Sequence, residues 1–203
     1  MPKKSPWNKG KAVGQKAPFS PQHVQTIKQI LTNEGNLRDL ALFSVGIDTM
    51  LRGVDLLALK VEQVLDHEGE VVEQFPIGQQ KTGKGTVVAL LPYSRQVLKQ
   101  WIQASGKLPW QYLFTGVRKS KGKPITTNHY RRLVKRWAAY AKLDGRKFST
   151  HSLRRTKAVV VYQHTHNVEA VRQLLGQSSV AATSAYLGIE QREALEIAKK
   201  FEL

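Results

Sequence analysis

HSLRRTKAVVVYQHTHNVEAVRQLLGQSSVAATSAYLG, residues 151–188, combines helical periodicity with polar side chains at fixed intervals. The pattern predicts a helix over 151–163 and further short helices after it. His151 and Arg154 are three residues apart and therefore share one helical face. This sharing favours Arg154 over its neighbour Arg155 as the functional partner of the histidine.

The end of this stretch is rich in small residues around a single tyrosine, Tyr186. Gly176 and Gly188 flank the tyrosine segment and predict breaks between short helices. Such breaks give a tyrosine access to solvent and freedom to move. A half-buried packing residue is the ordinary alternative for a lone tyrosine.

Helical patterns also precede this stretch. Ser20 followed by Pro21 is typical of a helix start. A second, largely buried helix is predicted over about 36–50, and a shorter one over 54–59. Arg52 therefore lies at a junction between two helices.

The middle of the chain changes to β-prone segments. Residues 71–91 predict a β-hairpin, with GQQKTGKG in its turn and Lys81 near the tip. Helical periodicity returns at 94–104 and 127–142. We therefore expect a mainly α fold with one small antiparallel sheet (α+β), comprising a basic flexible tail at 1–18 and a single domain at 19–203.

The charge of the chain points to a polyanionic partner. The formal net charge is +17 in 203 residues. Residues 118–157 hold fourteen Lys and Arg against one acid, Asp144. An anionic membrane fits less well than nucleic acid, because this stretch lacks a broad apolar face. The residues predicted to contact nucleic acid are Lys3, Lys4, Lys84, Arg131, Arg132, Lys135, Arg136 and Arg155.

Other classes are excluded or disfavoured by composition. The chain has no cysteine, which rules out disulfides, thiolate metal sites and cysteine nucleophiles. No apolar run reaches the length of a membrane span and no signal peptide is visible, so a cytoplasmic protein is expected. GQQKTGKG resembles a phosphate-binding loop, but Gly85 stands where a Ser or Thr should be. His164 and His166 lack further ligands at suitable spacing apart from Glu169, so no metal is expected.

The chemistry of the singled-out residues suits a phosphodiester. A tyrosine phenol can attack phosphorus and store the bond energy in a phosphotyrosyl ester. Arginines, here Arg52 and Arg154, match the oxygens of a pentavalent phosphate. Arg52 is also three residues before Asp55, and we expect that acid to pair with it and orient its guanidinium.

Two further residues suit proton transfer. His151 titrates near neutral pH and can donate to a phosphate oxygen or accept the tyrosine proton. A surface histidine that caps a helix is the ordinary alternative. Lys81, on the hairpin, can protonate a departing 5′ oxygen, with Lys84 as the competing candidate and an ordinary solvated lysine as the other interpretation.

LRGVDLLAL (51–59), HSLRRT (151–156) and LLGQSSVAATSAYLG (174–188) resemble the catalytic boxes of the tyrosine recombinases, also called the phage integrase family. The resemblance covers about residues 20–200 and matches five of six signature positions. It implies Arg52 and Arg154 as the phosphate-binding pair, Lys81 as general acid, His151 as acid/base and Tyr186 as nucleophile. The sixth position, usually His or Trp, is Gln177, which can donate a hydrogen bond but cannot shuttle a proton.

The resemblance implies site-specific DNA recombination through a covalent 3′-phosphotyrosyl intermediate, without metal or cofactor. Only the basic tail precedes Ser20, so the chain resembles the compact recombinases that consist of a catalytic domain alone. Self-association as a tetramer on DNA and accessory DNA-bending proteins are further expected partners. Residues 190–203 predict an amphipathic helix that packs either on its own domain or on a neighbouring protomer. Two alternatives stay open: a topoisomerase-like nicking and closing enzyme, and a DNA-binding accessory protein that has lost turnover through Gln177.

Overall fold

The protein is described here by a computed structural model covering residues 15–81, 83, 85–116 and 122–188. Most of this part is helical. The helices are α1 (Pro21–Asn33), α2 (Leu37–Thr49), α3 (Gly53–Leu57), α4 (Pro92–Ser105), α5 (Thr127–Tyr140), α6 (Thr150–Thr165), α7 (Val168–Leu174) and α8 (Val180–Leu187). The strands are β1 (Gln74–Gly78) and β2 (Gly85–Ala89). The predicted fold class, mainly α with a small antiparallel sheet, is confirmed.

Local sequence signals set the helix starts. Ser20 caps α1 by accepting a hydrogen bond from the His23 backbone N–H at 3.2 Å, and Pro21 occupies the first turn. Asn36 caps α2 in the same way. The predicted helices over 36–50 and 127–142 agree with α2 and α5 to within one or two residues at each end.

The core forms around α2, which is buried along nearly its whole length. Helices α1, α4 and α6 pack against it. Phe43 of α2 meets Trp137 of α5 edge to face, with ring centroids 5.2 Å apart. A long central helix buried on all sides gives the neighbouring elements a rigid support, and the candidate site lies at its C-terminal end.

The two strands pair as the predicted hairpin, with Gln74 opposite Ala89 and Gly78 opposite Gly85. Side chains alternate between exposed and buried along β1, as a strand with one covered face requires. The turn between the strands carries Lys81.

The segment before α1 is bound to the domain from Gln15 onward. The Ala17 backbone N–H donates to the Lys147 carbonyl at 3.0 Å, and Phe19 stacks on Phe148 with centroids 4.6 Å apart. The tail was predicted to be flexible up to residue 18, and that limit was wrong for residues 15–18. Within the described residues, no helix is long and apolar enough to cross a membrane.

Candidate active site

Arg52 enters the site because α2 ends abruptly. Met50, the C-terminal cap of α2, has a left-handed backbone with φ of +50°. The chain turns there, and Arg52 becomes the N-terminal cap residue of α3, in an extended conformation. Its guanidinium NH1 donates a hydrogen bond to Oε1 of Gln79.

Asp55 does not have the partner that the sequence suggested. Among the ion pairs of the described residues, none joins Asp55 to Arg52. Asp55 is 1% exposed, and its Oδ1 accepts the backbone N–H of Gln80 at 2.9 Å. The predicted orientation of Arg52 by Asp55 is thus corrected: the carboxylate anchors the hairpin, and Gln79 contacts the arginine.

Lys81 lies in the hairpin turn with its side chain exposed. The turn is anchored at its base by the Gln80–Asp55 hydrogen bond and by the Gly83 N–H, which donates to the Gln79 carbonyl at 2.8 Å. The charge of Lys81 reaches His151, whose pKa it helps to lower. The competing Lys84 lies outside the described residues.

Arg154 is held in the interior, where α6 passes the end of α2. It is 4% exposed, and its NH1 donates to the Met50 carbonyl at 2.7 Å while its NH2 donates to the Leu175 carbonyl. Burial lowers the pKa of Arg154 to about 10, opposed in part by the nearby Tyr186 and Asp55. The side chain therefore stays cationic at neutral pH, fixed in direction by two backbone carbonyls.

His151 occupies the first turn of α6, where Ser149 caps the helix. Loss of solvent around the ring, followed by the charges of Arg154, Arg52 and Lys81, lowers the pKa of His151. The structure therefore brings three of the predicted cations around one imidazole. At neutral pH the ring is uncharged and can accept a proton.

Tyr186 lies on α8 and reaches back to α6. Its hydroxyl lies 3.4 Å from the His151 carbonyl oxygen, to which it donates. Desolvation raises the pKa of Tyr186 to about 12, although Arg154, Arg155 and Arg52 all pull it down. The phenol is protonated at neutral pH and half-buried beside Arg154 of the same chain.

Gln177 lies between α7 and α8. Its Oε1 accepts the hydroxyl proton of Thr183 at 2.6 Å, a shorter contact than the 3.1 Å from that hydroxyl to the Ser179 carbonyl. Thr183 is fully buried on α8. This contact orients the side-chain amide of Gln177, whose Nε2 group is its hydrogen-bond donor.

Arg155 does not lie at the surface where a DNA contact was predicted. It is 9% exposed, its NH1 donates to the Lys16 carbonyl at 2.7 Å, and its guanidinium carbon lies 5.6 Å from the Tyr186 ring centroid. These contacts link the tyrosine helix to the segment before α1. We therefore correct the DNA-binding assignment of Arg155 to a support for the tyrosine.

The remaining basic candidates form a face of α5. The side chains of this face are exposed and comprise Arg131, Arg132, Lys135 and Arg136. Arg136 also pairs with the buried Asp39. Lys3, Lys4 and the predicted helix 190–203 lie outside the described residues. Within the part of the chain that is described, no group of three potential metal ligands is found.

Two residues of the site, Gln79 and Thr183, were missed by sequence reasoning. A signal for Gln79 exists: Phe75 and Ile77 are buried on alternate positions of β1, and the same alternation continues to residue 79, which is 3% exposed. Thr183 carries no comparable signal, since its role depends on the packing of α8 against Gln177.

Recombinases are among the solved structures that share this fold. The crystal structure of XerA recombinase matches 92% of this chain and 65% of its own, with a TM-score of 0.73 and 20% identity. XerH site-specific recombinase bound to palindromic difH substrate matches 91% of this chain and 53% of its own, with a TM-score of 0.70 and 20% identity. The fold is that of the tyrosine recombinase catalytic domain.

Sequence comparison leads to the same class. Residues 19–193 match the family model described as "Phage integrase family". "Probable integrase/recombinase YoeC" of Bacillus subtilis (strain 168) is 30% identical over 170 residues, which are 84% of this chain and 87% of that protein. The chain belongs to the phage integrase family. "Tyrosine recombinase XerC" of Corynebacterium glutamicum is 28% identical over 175 residues, and the match covers 83% of this chain but only 53% of that protein.

Proposed function

We propose that this protein is a site-specific DNA recombinase that cuts and rejoins DNA through a covalent 3′-phosphotyrosyl intermediate. The observation that carries the proposal is the position of Tyr186, whose phenol rests beside the buried Arg154 of its own chain. A tyrosine that only packs in the interior gains little from a guanidinium held in place by two backbone carbonyls. A tyrosine that attacks an anionic phosphate benefits from such a fixed cation, because the cation stabilises the negative charge of the transition state.

The reaction follows from the roles of the side chains. The Tyr186 oxygen attacks the scissile phosphorus, and its proton passes to the neutral His151 imidazole. The bond from phosphorus to the 5′ oxygen breaks, and Lys81 protonates that oxygen. In the reverse step a 5′-hydroxyl attacks the phosphotyrosyl bond and releases the tyrosine. The ester conserves the phosphodiester energy, so the cycle calls for no nucleotide.

The negative charge of the transition state is stabilised by three hydrogen-bond donors. Arg52 and Arg154 present guanidinium N–H groups, and Gln177 presents its Nε2 group. Because desolvation raises the pKa of Tyr186 to about 12, the phenol is protonated at neutral pH, and its proton has to be removed as the oxygen attacks phosphorus.

The exposed surface of the protein supports DNA as the partner in this reaction. The exposed cations of α5 suit the backbone of double-stranded DNA. Strand exchange requires two duplexes, and we propose assembly as a tetramer on DNA, with accessory DNA-bending proteins as further components.

One observation favours a second candidate, a DNA-binding accessory protein. Gln177 stands where the family usually has His or Trp, and an amide cannot shuttle a proton. The two candidates differ in whether a covalent adduct forms.

The test uses a nicked duplex taken from the DNA that flanks the coding sequence. Loss of the short strand past the nick traps the covalent complex, which is detected after detergent quenching. We expect an adduct with the wild type and none with Tyr186→Phe at equal DNA binding. DNA binding without an adduct would favour the accessory protein, and plasmid relaxation without strand exchange would favour a topoisomerase-like enzyme.

A further inference from the structure

Gln79 occupies a central position that the proposed reaction does not yet use. Its side chain is 3% exposed although it lies at the root of the exposed turn that carries Lys81. The backbone carbonyl of Gln79 accepts a hydrogen bond from the Gly83 N–H at 2.8 Å, and this bond closes the turn. The next peptide N–H, of Gln80, is fixed by Asp55 at 2.9 Å. The backbone around Gln79 is therefore held in place.

The side chain of Gln79 contacts Arg52. Its Oε1 accepts from the NH1 group of that arginine. A guanidinium is planar, so one fixed N–H sets the direction of the others. An amide acceptor achieves this without cancelling the positive charge, whereas a carboxylate at the same place would neutralise it.

The other end of the amide meets the segment that carries Gln177. A Cβ atom built on Gly176 would lie 2.2 Å from Nε2 of Gln79. The backbone of Gly176 has φ of +57°, so glycine satisfies both the conformation and the lack of room. One buried amide thus touches Arg52 and the residue that precedes Gln177.

We infer that Gln79 is a positioning residue, which orients the Arg52 guanidinium toward the scissile phosphate and fixes its position relative to the segment that carries Gln177. The inference rests on the proposed DNA cleavage. Gln79 does not itself contact the reacting atoms. Its effect is exerted through Arg52, in the step where negative charge develops on the phosphate.

The test compares Gln79→Met with Gln80→Met. Methionine keeps the length of glutamine but accepts no comparable hydrogen bond, and Gln80 is the adjacent, exposed glutamine. Gln79→Met should form the adduct on nicked DNA about 10- to 100-fold more slowly, at unchanged DNA affinity. Gln80→Met should behave as the wild type. Equal rates for the two variants would overturn the inference.

A modified substrate separates Arg52 from Lys81. When sulfur replaces the 5′ bridging oxygen, the leaving group departs without a proton and Lys81 becomes dispensable. The defect of Gln79→Met should persist with this substrate. Its disappearance would assign the effect to the hairpin lysine and overturn the inference.

A second substitution serves if Gln79→Met does not fold. Gln79→Glu keeps the shape of the side chain and its acceptor, but its carboxylate cancels the charge of Arg52. It should therefore weaken cleavage and DNA binding relative to Gln80→Glu. Equal behaviour of the two Glu variants would contradict the inference.

If the wild type forms no adduct, the proposed function fails, but the contact remains testable by NMR. The Arg52 side-chain N–H signal, assigned through its loss in Arg52→Lys, should be sharp in the wild type and averaged in Gln79→Met. An unchanged signal would overturn the inference.

Discussion

Replacing Gly176 by alanine should destabilise this protein much more than the same change at Gly35. Both glycines have a left-handed backbone, with φ of +57° and +63°. A side chain in that conformation costs about 1–2 kcal/mol at either position. At Gly35 nothing lies within 4 Å of the new Cβ, whereas at Gly176 it would lie 2.2 Å from Nε2 of Gln79.

The difference can be estimated from this contact. Ordinary contact for a Cβ begins near 3.4 Å, so the Gln79 amide has to move by more than an ångström in a buried place. The end of a glutamine side chain can shift at little cost in itself, but here the shift is expected to cost the hydrogen bond with Arg52, and a bond to a charged group contributes about 1.5–3 kcal/mol. We expect a loss of roughly 2.5–5 kcal/mol for Gly176→Ala and about 1–2 kcal/mol for Gly35→Ala.

Urea unfolding followed by circular dichroism measures both losses. With a slope of about 2 kcal/mol per molar urea, the midpoint should fall by about 1–2.5 M for Gly176→Ala and by at most about 1 M for Gly35→Ala. Adduct formation should slow only in Gly176→Ala. Equal midpoints for the two variants would refute the reasoning, since they would mean that Gln79 either does not occupy the space beside Gly176 or leaves it without cost.

Three further predictions concern other parts of the site. Thr183→Val removes the hydroxyl that donates to Gln177, and it should lower the free energy of unfolding in urea by about 1–3 kcal/mol and slow adduct formation. Thr183→Ser should preserve both the stability and the rate. Normal cleavage by the valine variant would contradict this role of Thr183. The pKa of His151 is lowered from 6.5, so on acidification through 6.5 the unfolded chain takes up the proton first and stability falls. His151→Gln should lose less stability than the wild type between about pH 7.5 and 5.5, and parallel profiles would contradict the shift. Arg132→Ala, on the exposed face of α5, should reduce the slope of log affinity against log salt by about 0.9 without slowing cleavage of saturated DNA. Lys99→Ala is the control and should leave the slope unchanged, because Lys99 lies on α4 and is paired with Glu70. An unchanged slope for Arg132→Ala would remove Arg132 from the DNA-binding surface.

The helices of the fold were predictable because their signals are local. Capping residues and apolar periodicity set α1, α2 and α6, and the structure reproduces them closely. The hairpin followed from turn residues between two β-prone segments. The limit of the tail was wrong because residues 15–18 are held by contacts with α6 and the loop before it, which the local sequence does not reveal.

The sequence indicated several side chains that the structure brings together, but not all of their contacts. The spacing of His151 and Arg154 gives a shared helical face, and the structure places both beside Tyr186. Spacing within α3 offered Asp55 as the partner of Arg52, but the hairpin packs over α3 and supplies Gln79 instead. The partner of a flexible cation is decided by tertiary packing, which periodicity does not contain.

Arg155 illustrates the same limit on α6. The sequence separates it from the face of Arg154 but does not show what covers the opposite face. In the structure that face meets Lys16 and the tyrosine helix, so the arginine is buried instead of facing DNA.

The central claim is that the Tyr186 oxygen becomes bonded to a DNA 3′ phosphate. The most direct measurement is mass spectrometry of the trapped adduct after digestion with nuclease and trypsin. We predict that the peptide containing Tyr186 carries a nucleotide attached through its 3′ phosphate. A nucleotide on any other residue, or attachment through a 5′ phosphate, would contradict the account.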